Sequence, residues 1–261
     1  MRASTCSAPK GKQAFTLLEV LVASAVLAML MVLLAQMISA TSDTIARTRR
    51  KINAAAQARL FLDRLGMDLS GLIARSDLPL EFINTTGNDS LRFYAEASGY
   101  SGNRRVSLLA YRVQENNPDR YYQAERGATG ADWTSATSPP FAATTPAAAN
   151  NADYEVLSAG VFRMEICYVQ KSDGKLTHIP PPDIADISAL VVAVATMDDE
   201  SRALLSSSQL KNLSQALPNP TEGQSPLARW QDALRQSGFA SSMPHKAVES
   251  IELHQRYYPL P

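Results

Sequence analysis

The hydrophobic pattern of the chain changes period once. From Phe15 to Ile38 the sequence is apolar, broken only by Thr16, Glu19, Ser24 and Gln36, and no residue from Val20 to Ser42 is charged. A helix over 15–38 rises about 36 Å, enough to cross a hydrocarbon core of about 30 Å. The next stretch, 43–74, is rich in helix formers such as Ala54, Ala55, Ala56, Gln57, Ala58 and Leu60. An apolar stripe follows Ile45, Ile52, Ala56, Leu62, Leu65, Leu69 and Leu72, with spacings of threes, fours and their sums. Polar Arg49, Asn53, Arg64 and Asp68 fall largely off that stripe. No proline stands between Pro9 and Pro79. The pattern predicts one long helix over 15–78, weakened by Gly66 and Gly71 and stopped at Asp77-Leu78-Pro79. Two helices joined near Ser39–Ser42 fit the same pattern.

Beyond Pro79 the period falls to two. Leu91, Phe93 and Ala95 alternate with Arg92, Tyr94 and Glu96, and Leu109, Tyr111 and Val113 with Ala110, Arg112 and Gln114. Phe162, Met164, Ile166 and Tyr168 alternate with Arg163, Glu165, Cys167 and Val169. Each reads as a strand with one buried face. The unbroken apolar run Ala189–Ala195 predicts a central strand, and Val248–Tyr258 a last one. Thr86-Gly87-Asn88-Asp89 and Ser172-Asp173-Gly174-Lys175 are turn signals. Two short helices are expected around Leu204–Leu217 and Pro226–Ser237, split by Pro218-Asn219-Pro220. At about 127–152 the composition turns to Ala, Thr, Ser, Pro and Gly around Trp133, as in a surface insertion with little regular structure. One long helix followed by antiparallel strands is an α+β pattern: an N-terminal leader (1–14), a long helix (15–78) and a β-rich head (79–261).

Three readings of the N-terminus compete. It can be an ordinary signal peptide cut near Ala40, an uncleaved anchor, or a segment cut before the apolar run, with the run retained. Glu19 separates them. A carboxylate near the start of an apolar helix costs on the order of 2.5–3.5 kcal/mol at mid-membrane and less near the interface. A signal peptide or simple anchor gains nothing from it. A helix that leaves the bilayer and packs into a fibre can pair it with an α-amine made by cleavage before Phe15, fixing the stagger between neighbours.

Ala14-Phe15-Thr16-Leu17-Leu18-Glu19 resembles the type IV prepilin processing motif, a small residue followed by Phe-Thr-Leu-(Ile/Leu)-Glu, with Ala14 where the family usually has Gly. The resemblance implies cleavage between Ala14 and Phe15 by a membrane prepilin peptidase, N-methylation of Phe15, and Glu19 as the assembly acid. It also implies a pilin-like fold, with a single pass of the inner membrane and an extracytoplasmic head. The head segments Asp63–Leu69, Asn88–Tyr94 and Ala159–Glu165 are similar to minor pseudopilin J of type II secretion systems. The ending Ile251–Leu260 is closer to the Verru_Chthon cassette protein C family of prepilin-like proteins. These resemblances imply other pilin- or pseudopilin-like subunits as partners.

Charge and side-chain chemistry narrow the remaining choices. Twenty-five basic and 25 acidic residues balance, and no nucleic-acid motif appears. Arg47, Arg49, Arg50 and Lys51 match or outnumber the leader's Arg2, Lys10 and Lys12, so loop charge alone leaves the orientation open. They read as a solvated helix face or one touching lipid phosphates. If Cys6 leaves with the leader, Cys167 stands alone, as a small buried hydrophobe. His178, His245 and His254 are too scattered for a metal site, and Asp198-Asp199-Glu200 reads as a helix cap. No phosphate-binding loop and no nucleophile elbow occur. The expectation is a non-enzymatic assembly subunit without cofactor or metal. The alternative is a membrane-anchored or secreted extracytoplasmic binding domain.

Overall fold

The computed structural model describes residues 16–75, 78, 80–84, 87–97, 106–130, 132–133, 141–142, 154–179 and 184–260. Leader residues 1–14 and Phe15 lie outside them, as do Thr86 and most of the expected insertion. The chain forms two compact units, 1–48 and 49–261. Helix α1 spans Leu17–Ser70.

In the first unit α1 is exposed along its length; from Leu17 to Ile38 no residue is buried. In the second unit, α1 buries Ala54, Ala58, Phe61, Leu62, Leu65, Asp68 and Leu69. Two expectations change here. Ile45, Ile52 and Ala56 face solvent, because the packed face begins with alanines that let the helix approach closely. Asp68, expected off the packed face, is buried in it. The helix also stops at Ser70 rather than 78. Gly71 and Leu72 donate to the carbonyls of Asp68 and Leu69, and Leu72 joins Ala95 in an antiparallel bridge. A Cβ at Gly71 would stand 3.2 Å from the Glu96 carbonyl oxygen, so the exit passes where a side chain barely fits.

The remaining residues build two antiparallel sheets. The first runs β1 (Glu81–Ile83), β2 (Ser90–Ala95), β3 (Ser107–Val113), β4 (Ala124–Gly130) and β7 (Tyr154–Ser158) in that spatial order. A two-residue hairpin, β5 (Asp132–Trp133) with β6 (Phe141–Ala142), interrupts it in sequence. Residues 127–130 belong to β4, so regular structure continues past the expected start of the insertion.

The second sheet has β8 (Val161–Gln170), β9 (Leu176–Thr177), β10 (Ile187–Thr196) and β11 (Glu252–Pro259), ordered β11-β10-β8-β9. The apolar run Ala189–Ala195 lies in β10, paired on both sides as its composition predicts. Four helices precede β11: α2 (Asp199–Arg202), α3 (Ser207–Ala216), α4 (Pro226–Arg235) and α5 (His245–Glu249). Val248 therefore sits in α5, not in the last strand. Asp198 caps α2 by accepting from Ser201 N, as the acidic run predicts. A capping box at Ser206 and Gln209 opens α3, and Ser225 with Pro226 opens α4.

The register assigns each face of this second sheet. Tyr258, Leu190 and Tyr168 are directly opposite one another, as are Arg256, Val192 and Ile166, and these share the face that meets α1. Gln255, Ala193 and Glu165 share the other face, which α3 and α4 cover. The polar residues of β8 are therefore buried too, with Arg163 and Glu165 fully enclosed.

Candidate functional site

The described part of the N-terminal motif begins at Thr16. Its Oγ accepts the Glu19 backbone N–H at 3.3 Å, and its carbonyl accepts the same N–H at 3.1 Å. Thr16-Leu17-Leu18-Glu19 is therefore the start of α1, in the Thr-x-x-Glu arrangement of a capping box. Glu19 lies in the first turn, where the helix dipole favours a carboxylate. The sequence reading gave Glu19 an intermolecular role and missed this local one, although the spacing Thr16 to Glu19 was there to be read.

Beyond Glu19, the apolar residues stand out on every side of the helix, among them Leu21, Leu27, Leu30, Leu34 and Ile38. Four hydroxyls in and after this run bond back into the helix: Ser24 to the Leu21 carbonyl, Thr41 to Met37, Thr44 to Ala40 and Thr48 to Thr44. Those polar groups need no water, which suits a helix surrounded by lipid or by other helices. Among the described residues one helix, α1, is long and apolar enough to cross a membrane, and its apolar stretch is unburied.

The second half of α1 is fixed to both sheets. Asp68 Oδ2 accepts from Tyr111 OH and from Arg126 Nε, each at 2.5 Å, tying the helix to β3 and β4. All three side chains are buried. Burial and the adjacent Asp68 carboxylate push the Tyr111 phenol well above its usual range, so it stays a donor. Phe61 meets Tyr111 edge-on at 5.8 Å. On the other flank, Tyr258 OH donates to the Leu62 carbonyl at 2.7 Å and Arg256 pairs with Asp63, strapping β11 along the helix. Gly66 admits the Tyr258 ring, because a Cβ there would lie 3.0 Å from it.

A second polar cluster joins the two sheets. Asp89 N donates to the Met164 carbonyl, Met164 N donates to Asn88 Oδ1 at 2.8 Å, and Ile166 N donates to Asp89 Oδ2 at 2.8 Å. The loop before β2 thus supplies the partners that the edge of β8 lacks. On the covered face of β8, Arg163 donates to Glu165 at 2.6 Å and to Asn219 at 2.8 Å, with Trp230 of α4 beyond it. Burial, then the nearby Asp89 carboxylate, push Glu165 up to about 9, against the pull of Arg163. Both clusters are locked in packing, and their chemistry is that of struts.

Among the described residues no three His, Cys, Asp or Glu side chains group as metal ligands. Burial pushes the Cys167 thiol up, away from nucleophilic reactivity, and holds His254 below its usual value. The structure does not bring His178, His245 and His254 into a common site: His254 lies on β11, His245 opens α5, and His178 follows β9. The geometry concentrates on the helix: an apolar surface without a partner in its first half and a braced attachment in its second.

Residues 9–35 match the family model described as the prokaryotic N-terminal methylation motif, the motif of type IV prepilin-like chains. No curated protein sequence matches the chain significantly. Among solved structures the chain is similar to the type IV-like pilin TTHA1219 from Thermus thermophilus, at 12% identity and a TM-score of 0.39. That likeness covers 79% of this chain and 94% of the pilin, and is too loose for any residue or role to be carried across.

Proposed function

We propose that this chain is a non-enzymatic, minor pilin- or pseudopilin-like subunit of a type IV pilus-like or type II secretion-like apparatus. Prepilin peptidase cuts between Ala14 and Phe15, Phe15 is N-methylated, and the helix then passes from the inner membrane into a bundle with sister subunits. The head stays extracytoplasmic. The observation that carries this reading is the methylation motif matched over residues 9–35, which runs into a helix whose apolar residues, 17–38, have no partner among the described residues. Burial of those side chains at about 25 cal/mol per Å² supplies the drive for bundling wherever the helix leaves lipid for an aqueous surrounding. The minor, tip-located assignment rests on the sequence resemblance of the head to pseudopilin J and to Verru_Chthon cassette protein C.

In this reading Glu19 pairs with the Phe15 amine of a neighbour and sets the axial register. Its place in the Thr16 cap gives it a second role, so two substitutions are needed to separate them. Glu19→Gln keeps a capping side chain and loses the charge; Glu19→Ala loses both. Both variants are expected to be cleaved and to fail to enter fibres. Normal incorporation of Glu19→Gln would show that capping is the residue's whole contribution. The reading as a whole is tested by the mature N-terminus: N-methyl-Phe15 is expected, whereas a chain beginning at Thr41 would make the protein a secreted domain.

A further inference from the structure

Arg47, Arg49, Arg50 and Lys51 give α1 four cations within five positions, and Asp43 is the only acid between Glu19 and Asp63. The head answers two of them: Arg50 pairs with Glu200 at 3.4 Å and Lys51 with Glu252 at 3.5 Å. Arg47 and Arg49 are exposed and have no acidic partner among the described residues. At about 100° per residue they leave the helix on nearly opposite sides. A protein partner docking on one face would meet one of them. A layer of headgroups around a membrane-crossing helix meets both.

Two further features place them at such a layer. Nine positions separate Arg47 from the end of the apolar run at Ile38, and in that interval Thr41 and Thr44 bond back to helix carbonyls. A stretch with Asp43 as its one charge and two hydroxyls satisfied within the helix suits the polar boundary of a bilayer, between the apolar run and the arginines. Helical side chains also lean toward the N-terminus, so both arginines reach back toward the apolar segment, where long cationic side chains extend to lipid phosphates.

We propose that Arg47 and Arg49 bind the phosphates of anionic phospholipids around the head-proximal end of the membrane span. The proposal rests on the reading of 15–38 as a span. The full-length chain is reconstituted in vesicles of neutral phosphatidylcholine, and in the same vesicles with one third phosphatidylglycerol. Flotation after alkaline carbonate washing of the neutral vesicles reports insertion. Spin-labelled forms of each lipid report which headgroup the protein holds.

At low salt the protein is expected to prefer phosphatidylglycerol, with the preference falling about fivefold for each arginine removed. It should therefore vanish in R47Q/R49Q and at high salt, and persist in R47K/R49K. Equal retention of the two lipids by the inserted protein, or an unchanged preference in R47Q/R49Q, overturns the proposal while leaving the span intact. So does a loss of self-association in R47Q/R49Q without lipid selectivity, which would make the arginines a protein contact. Failure of the wild type to stay in neutral vesicles overturns both readings.

Discussion

The two halves of α1 share one continuous backbone but differ in composition and surroundings: 19 of the 22 residues from Leu17 to Ile38 are apolar, against 11 of the 22 from Arg49 to Ser70. From Leu17 to Ile38 leucine, valine and methionine point in all directions, and nothing among the described residues covers them. From Arg49 to Ser70 the apolar residues divide. Ala54, Ala58, Phe61, Leu62, Leu65 and Leu69 are buried against the sheets, while Ile52, Leu60 and Met67 are exposed. A helix surface that is apolar all round calls for a partner outside its own fold. A narrow face starting with alanine and closing on an aspartate marks a helix whose partner is already present.

That contrast can be broken at its strongest point first. Arg126→Ala would leave buried Asp68 with only the more exposed Arg64, 3.6 Å from its other oxygen, and loss of one member of a buried pair costs up to about 3–5 kcal/mol. Urea unfolding of the detergent-solubilised protein should show the midpoint falling accordingly; a change below about 1 kcal/mol would mean that the helix is held by apolar packing alone. The next test compares the two apolar faces. Leu65→Ala should destabilise the protein by about 2–5 kcal/mol, whereas Ile52→Ala on the exposed face should stay within about 0.5 kcal/mol. Equal costs in the isolated protein would erase the distinction.

The smallest effect concerns pH. Folding raises Glu165 from an ordinary 4.5 to about 9, so the folded state holds a proton that the unfolded chain releases. The stability this proton contributes is fully present below about 4.5 and is lost as pH rises toward about 9. Wild-type stability should fall with rising pH through this window, relative to Glu165→Gln. Parallel pH profiles for the two proteins would show that Glu165 is already ionised at neutral pH.

Much of the architecture could be read from the sequence, and the gaps have physical causes. The strands around Leu91, Leu109 and Phe162 and the central run Ala189–Ala195 showed in their periodicity, because a buried sheet face has a period of two. The other face of β8 did not. Arg163 and Glu165 look like solvent-facing residues until α3 and α4 are placed over them, and nothing local in β8 announces a cover made more than 40 residues later. The helical stripe was assigned to Ile45, Ile52 and Ala56 because threes and fours fit two faces of α1 equally well. Alanine at 54 and 58, which carries little hydrophobic signal, decided between them by allowing close approach. Asp68 was misplaced for a related reason, since its partners Tyr111 and Arg126 are remote in sequence. In the N-terminal motif the apolar run and the lone acid are legible in the sequence, whereas the cap formed by Thr16 is a local contact that a role between subunits does not call for.

The strap between β11 and α1 has a consequence for timing. Arg256 and Asp63 are separated by 193 residues, and Tyr258 and Leu62 by 196. Contacts so distant along the chain form late. The helix is made early, but one whole flank of its seat arrives only with the last strand, so during synthesis α1 must wait with Asp63 and the Leu62 carbonyl lacking these partners. A nascent chain arrested before Glu252 would present a long apolar helix attached to an unfinished domain, a form readily recognised by proteases that survey exposed apolar segments.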